Sequence, residues 1–253
     1  MNQTPYRAIF FDLDGTLLPM DLDEFMGRYM KTIGAFAVSH GMDIEAFKKG
    51  LGAGIEAMAR HEDTRSNAEV FWDTFFAIVP DSRETWMPLF EEFYENHFGA
   101  IGEGVESTPY AAESLQTLKK KGYPLVLATM PMFPLRAVEH RCAWADINPQ
   151  VFERITNFEN SRSVKPKLAY FEESLKAGEL LPEEVLMVGN NTREDLACLK
   201  LGMDAYVITD HLINPNDFDL NEVKHGTFEQ FATWAQDLPL CANPPKHFVT
   251  GLI

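Results

Sequence analysis

An isolated apolar run, Ala8-Ile9-Phe10-Phe11, constrains the architecture of this chain more than any other feature. It reads as a buried strand, yet the next comparable run begins only at Leu125. Between them the apolar residues recur at three- and four-residue steps, which is a helical period. Leu22, Phe25, Met26, Tyr29, Met30, Ile33 and Phe36 mark one such stripe. Further stretches near Ile44–Arg60, Asn67–Val79 and Arg83–Phe98 repeat the spacing. Gly50, Gly52 and Gly54 interrupt the second, and an interior glycine costs a helix about 1 kcal/mol relative to alanine, so a kink or two shorter helices is expected there. One strand beside a helical bundle cannot bury itself. The first strand therefore belongs to a sheet formed much later in the chain.

That sheet is predicted from about residue 106 onward. A helix near Tyr110–Lys121 leads into the strand Leu125–Ala128, and a helix near Leu135–Ala143 precedes a short strand at Phe152–Thr156. Helices near Leu168–Gly178 and Arg193–Leu201 flank the strand Val185–Val188, and the strand Ala205–Ile208 follows. Strands alternating with helices imply parallel pairing through right-handed crossovers. The expected fold class is α/β, a Rossmann-like parallel sheet flanked by helices, with an all-helical domain inserted. The core comprises residues 1–18 and 105–253, and the insert residues 19–104. Short links near Pro19-Met20 and Gly102-Glu103-Gly104 suit hinges. The stretch Asn243-Pro244-Pro245 reads as an irregular surface strap.

In an open parallel sheet the ligand sits beyond the carboxyl ends of the strands. The first strand ends in Asp12-Leu13-Asp14-Gly15. One carboxylate there can attack phosphorus, and the second can protonate a leaving oxygen and later activate water. The pair could also hold a hard divalent cation. The second strand ends at Thr129-Met130-Pro131, Lys165-Pro166 precedes the next helix, and the strand at Val185–Val188 ends in Gly189-Asn190-Asn191-Thr192-Arg193-Glu194-Asp195. Singly, the last three read as a strand-end hydroxyl, a loop charge and a turn in which Asn191 or Thr192 caps a helix. Their order, each at the correct end of a strand, gives them weight together.

That ordered set resembles the haloacid dehalogenase superfamily of phosphohydrolases over nearly the whole chain. The resemblance implies Asp12 as a nucleophile that forms an aspartyl-phosphate and Asp14 as general acid and base. It implies Thr129, with the backbone N–H of Met130, and Lys165 as the phosphate-binding groups. It implies Mg²⁺ held by Asp12, the backbone carbonyl of Asp14, Asn190 and Asp195, with Glu194 the alternative to Asp195. Residues 19–104 fall where the family inserts a cap, whose Arg28, Arg60 and Arg65 are the candidates for gripping a substrate's far end. Two positions depart from the family pattern: Asn190 stands where an aspartate is usual, and Met130 where an asparagine is common. The implied activity is Mg²⁺-dependent hydrolysis of a small phosphorylated metabolite. A phosphomutase using the same intermediate, and a non-catalytic binder of a phosphorylated ligand or partner protein, are the alternatives. A dehalogenase has no use for an acid such as Asp14.

Other features set bounds. Lys plus Arg number 22 against 38 Asp plus Glu, a net charge of −16. A nucleic acid or an anionic membrane surface would demand the opposite sign. Cys142, Cys198 and Cys241 form no metal-type pair and suit a reducing cytoplasm, the expected location. No basic patch with a long apolar stretch opens the chain, so no signal peptide or membrane span is expected. Oligomeric state is not encoded in any feature here. Gly52-Ala53-Gly54-Ile55 imitates a dinucleotide fingerprint but follows a helical pattern rather than a strand. Asp21, Asp23 and Glu24 suit a helix N-terminus rather than a metal cluster. The histidines have no ligand spacing.

Overall fold

The computed structural model describes residues 6–80 and 82–253. Residues 1–5, part of the segment expected at 1–18, lie outside the described residues. Six strands form one sheet: β1 (Ala8–Phe11), β2 (Leu125–Leu127), β3 (Arg154–Ile155), β4 (Val185–Gly189), β5 (Asp204–Ile208) and β6 (Lys224–Gly226). Their spatial order is β3-β2-β1-β4-β5-β6 and every pair is parallel. β1 is thus central, pairing Ile9 with Leu125 on one side and Phe10 with Met187 on the other. The chain first builds outward from β1 through β2 to β3, then returns to its other side for β4 to β6. The point where the order reverses opens a crevice beyond the ends of β1 and β4.

Side-chain alternation sends the strands' residues to two separate apolar layers. Ala8, Phe10, Val126, Met187 and Val207 pack under Tyr170, Phe171 and Leu175 of α7 (Leu168–Ala177). Ile9, Phe11, Leu127, Val188 and Ile208 face the opposite layer. That layer contains α5 (Pro109–Lys120), α6 (Leu135–Trp144) and α8 (Phe228–Asp237). β6 and α8 extend the fold past the last strand read from the sequence. Lys224, His225 and Gly226 carry no strand signature, whereas Thr227 and Gln230 close a capping box that starts α8.

Among the described residues four α-helices lie between β1 and α5: α1 (Leu22–Ser39), α2 (Ile44–Arg60), α3 (Asn67–Ile78) and α4 (Arg83–Glu92). Asp21 caps α1, its carboxylate accepting from the Glu24 N–H at 2.9 Å. Where a kink or two shorter helices were expected, α2 runs as one continuous helix. Two of the glycines serve packing: a Cβ at Gly50 would lie 2.9 Å from Val79 Cγ2, and one at Gly54 2.6 Å from Phe71 Cδ2, whereas Gly52 faces open space. α2 and α3 therefore approach closely, and the propensity cost is offset by contact along the whole face. The helix expected at Arg83–Phe98 ends at Glu92 and continues as a wider π turn, Phe93–His97, then a 3-10 turn, Phe98–Gly102. The wider turn lets Phe93 and Phe98, five residues apart, both bury completely. Likewise the stretch expected as a helix at Arg193–Leu201 is a 3-10 turn, Asp195–Leu201.

This helical segment shares one apolar layer with the sheet. Phe25, Tyr29 and Phe98 meet Phe133 at ring distances of 5.9, 5.1 and 6.2 Å, and Trp144 stacks on Phe98 at 5.5 Å. Polar ties reinforce the seam. Buried Asn67 donates to the carbonyls of Pro131 (3.0 Å) and Ser163 (3.2 Å). The last residues form the expected strap: Arg7 Nε donates to Asn243 O, and buried Arg154 donates to the carbonyls of Val249 and Gly251. Among the described residues no helix is long and apolar enough to cross a membrane.

Candidate active site

β1 delivers Asp12 to the crevice because four buried residues end there and the backbone then turns. Gly15 makes that turn at φ +79°, and a Cβ there would collide with the Asn190 side chain. Glycine is required twice over, for conformation and for space.

Lys165 organises the centre. Its ammonium, almost wholly buried, lies 2.6 Å from Asp12 Oδ1 and 2.7 Å from Asp195 Oδ1. Burial alone would pull the ammonium down, but the two carboxylates outweigh it and hold it well above the ordinary lysine value. It is a fixed cation. Thr16 bridges the next pair, its hydroxyl 3.2 Å from Asp12 Oδ2 and 3.1 Å from Asn190 Oδ1. The Asn190 amide nitrogen donates to His211 O at 2.6 Å, which turns the amide oxygen toward Asp12. Thr129 is fully buried and its hydroxyl has no partner. Its backbone carbonyl accepts from Thr156 (2.8 Å) and Tyr170 (3.0 Å), which fixes the strand end. Thr129, Lys165, Asp12 and Asn190 are thus brought together from four segments of the chain.

Asp14 meets a residue that the sequence reading missed. Arg141, on α6, is buried and ion-paired to Asp14 Oδ2, with its guanidinium 4.8 Å from the Phe133 ring centre. Burial raises the Asp14 carboxyl above its ordinary value, and Arg141 opposes that rise without cancelling it. Asp14 Oδ1 and Arg141 Nη2 are both buried without partners. The signal for Arg141 was present in the pattern. It stands three residues after Val138 and four after Ala137, on the buried stripe of its helix, where an unpaired charge would be costly.

The acidic cluster after β4 divides its roles. Asp195 spends both oxygens inside the protein, one on Lys165 and the other on the Asn191 N–H at 2.9 Å. Burial pushes its carboxyl up against the pull of Lys165. Glu194, whose carboxyl burial also raises, lines the cavity instead, together with Asn190 and Asn191. Asn191 is the cap, its side-chain oxygen accepting from the N–H groups of Arg193 and Glu194.

Asp12, Asp14, Arg141, Asn190, Asn191 and Glu194 floor a cavity of about 220 Å³ whose walls rise into α1 to α4. Met130 lines it beside Asp12 and Asp14. Arg28, Arg60 and Arg65 do not, because each is engaged elsewhere. Arg28 binds Glu24 and the Glu103 carbonyl (2.8 Å) near the second link. Arg60 pairs with Glu56 on the outer surface, and Arg65 with Asp63 and Asp73.

The donors around Asp12 are all oxygens: its own carboxylate, the Asn190 amide and the Glu194 carboxylate. Oxygen sets suit a hard cation such as Mg²⁺. Among the described residues no three His, Cys, Asp or Glu side chains converge on one point, so any such ion would depend on the amide and on backbone or water oxygens.

The family model described as haloacid dehalogenase-like hydrolase matches residues 6–202. Pyrophosphatase PpaX of Bacillus mycoides (strain KBAB4) is 25% identical over 185 residues, covering 73% of this chain and 75% of its own. Among solved structures, a predicted phosphoglycolate phosphatase from Haemophilus somnus 129PT superposes with a TM-score of 0.55 at 17% identity, over 93% of this chain and 100% of its own. A HAD phosphatase from Thermococcus onnurineus gives 0.54 at 18%, over 90% and 97%. At such identities the structures attest the fold alone.

Proposed function

Because the chain belongs to the haloacid dehalogenase-like hydrolases, we propose that it is a Mg²⁺-dependent phosphatase of a small phosphorylated metabolite, working through an aspartyl-phosphate. The observation that carries this reading is Lys165 held between Asp12 and Asp195 at 2.6 and 2.7 Å. A buried cation fixed beside a strand-end carboxylate supplies what a phosphate dianion needs in order to approach another anion.

Asp12 Oδ2, free of Lys165, attacks phosphorus as the ester P–O bond breaks, and Asp14 gives its proton to the departing oxygen. Water then attacks the same phosphorus, Asp14 takes its proton, and the Asp12 carboxylate is released together with inorganic phosphate. Burial favours the protonated Asp14 that the first step needs. Thr129 Oγ1, the Met130 N–H and Lys165 hold the phosphoryl oxygens. Asp12, the backbone carbonyl of Asp14, Asn190 and Glu194 would hold the metal, with Asp195 acting through Lys165. When bound, the ion neutralises charge between the attacking carboxylate and the phosphate. Residues 19–104 act as a cap over the core of 1–18 and 105–253. The three free cysteines suit a reducing cytoplasm.

The test is phosphate release from p-nitrophenyl phosphate, with Mg²⁺ and after its removal by chelation. Activity should require the metal, and Asp12→Asn should abolish it with the fold intact by circular dichroism. Hydrolysis by that variant within tenfold of the parent would overturn the assignment.

A further inference from the structure

The cavity above the carboxylates is built for something other than a second charged or hydroxylated group. Its walls come from Met26 and Ile33 of α1, Leu51 and Ile55 of α2, and Phe71 and Phe75 of α3. The two phenols that reach it, Tyr29 and Tyr94, are hydrogen-bonded to each other at 2.8 Å. Trp72 brings one indole N–H. Among the described residues the only cation in the lining is Arg141, already tied to Asp14 at the floor. Asn190, Asn191 and Glu194 line it too, but beside the carboxylates; against the walls above them a sugar's hydroxyls would lose water with few partners to gain, and a second phosphate or a carboxylate would leave the floor for an apolar space without a countercharge. An apolar ring would lose nothing. A cavity of about 150 Å³ lined by aliphatic and aromatic residues admits benzene, so 220 Å³ holds one ring with a short chain.

Resting on the phosphatase reading, we propose that the substrate is a phosphate monoester of an apolar, ring-sized alcohol, whose alcohol half fills this cavity while the phosphoryl group meets Asp12. The exclusion of pyrophosphate separates this chain from relatives named for it.

The experiment compares kcat/KM for 2-phenylethyl phosphate, glycerol 3-phosphate, phosphoglycolate and pyrophosphate. The phenylethyl ester should lead each of the others by at least tenfold, since removing a ring from water is worth about one to two orders of magnitude in affinity. Equal or better turnover of any polar substrate would overturn the proposal. Calorimetric binding of 2-phenylethanol to the Mg²⁺-loaded protein tests the cavity independently of turnover. Saturable binding should weaken at least tenfold in Ile55→Gln and, as a second half-buried wall position, Met26→Gln, with circular dichroism confirming that each folds. Absence of binding by the parent would overturn the proposal even if polar esters are hydrolysed. Binding of the alcohol without hydrolysis of any ester would instead retain the apolar cavity and remove the phosphatase reading.

Discussion

Asn190 is held in one orientation by what it donates. Its amide N–H₂ reaches the His211 carbonyl while its oxygen takes the Thr16 hydroxyl beside Asp12. Replacement by aspartate would set a carboxylate oxygen against that carbonyl, so Asn190→Asp should destabilise the fold by about 1–3 kcal/mol. The added charge should also strengthen Mg²⁺ binding, so the metal should recover part of the lost thermal midpoint. A midpoint that falls and does not respond to Mg²⁺ would place Asn190 outside the metal's ligands. Arg141 allows a second prediction. In Arg141→Met the stem can still pack on Phe133, but Asp14 loses its countercharge. Arg141 pulls the Asp14 carboxyl down, so its removal lets burial push that carboxyl higher. Asp14 then stays protonated to a higher pH, and the descending limb of kcat/KM against pH should move upward. An unchanged profile would mean that Asp14 is not the acid. Residues at strand ends were legible in the sequence because topology alone delivers them to the crevice. Arg141 and Thr16 were not, because their importance arises only when a helix face and a turn are folded against Asp12. Arg28, Arg60 and Arg65 show the converse: nothing local tells a helix's outer charge from one that faces a cleft.

At the scale of elements, the start of α3 clamps the helical segment to the sheet. Asn67 is completely buried and donates to two carbonyls from two different loops, and its oxygen binds His61 Nε2 at 2.7 Å. Asn67→Ala would leave these groups without partners and should cost about 1–3 kcal/mol. If the clamp is local, amide exchange in residues 67–79 should rise more than exchange in β1 and β4. Uniform acceleration would show that the two regions open as one unit. The elements that the sequence rendered well are those with a long single period, such as α1 and α3. α2 was misjudged because glycine propensity is a property of an isolated helix, whereas Gly50 and Gly54 are set by the rings of α3. β6 escaped because three polar or small residues at a sheet edge need no hydrophobic pattern; their strand character comes from the neighbour Tyr206–Ile208.

For the whole molecule, the decisive feature is that the helical segment α1 to α4 and the sheet share one continuous layer of aromatic rings. Phe25, Tyr29 and Phe98 meet Phe133 and Trp144 across the boundary between the helical segment and the sheet. Separating them wets ring surface, and wetting apolar surface raises heat capacity. If product leaves by parting these rings, its release carries a thermal signature distinct from the chemistry at phosphorus. The enthalpy barrier to phosphate release should itself climb on warming, bending the Eyring plot of that step, while a step confined to the closed cavity should remain straight. Release measured with a phosphate sensor between cool and warm conditions distinguishes the two. A straight plot for release would mean that product leaves without those rings parting.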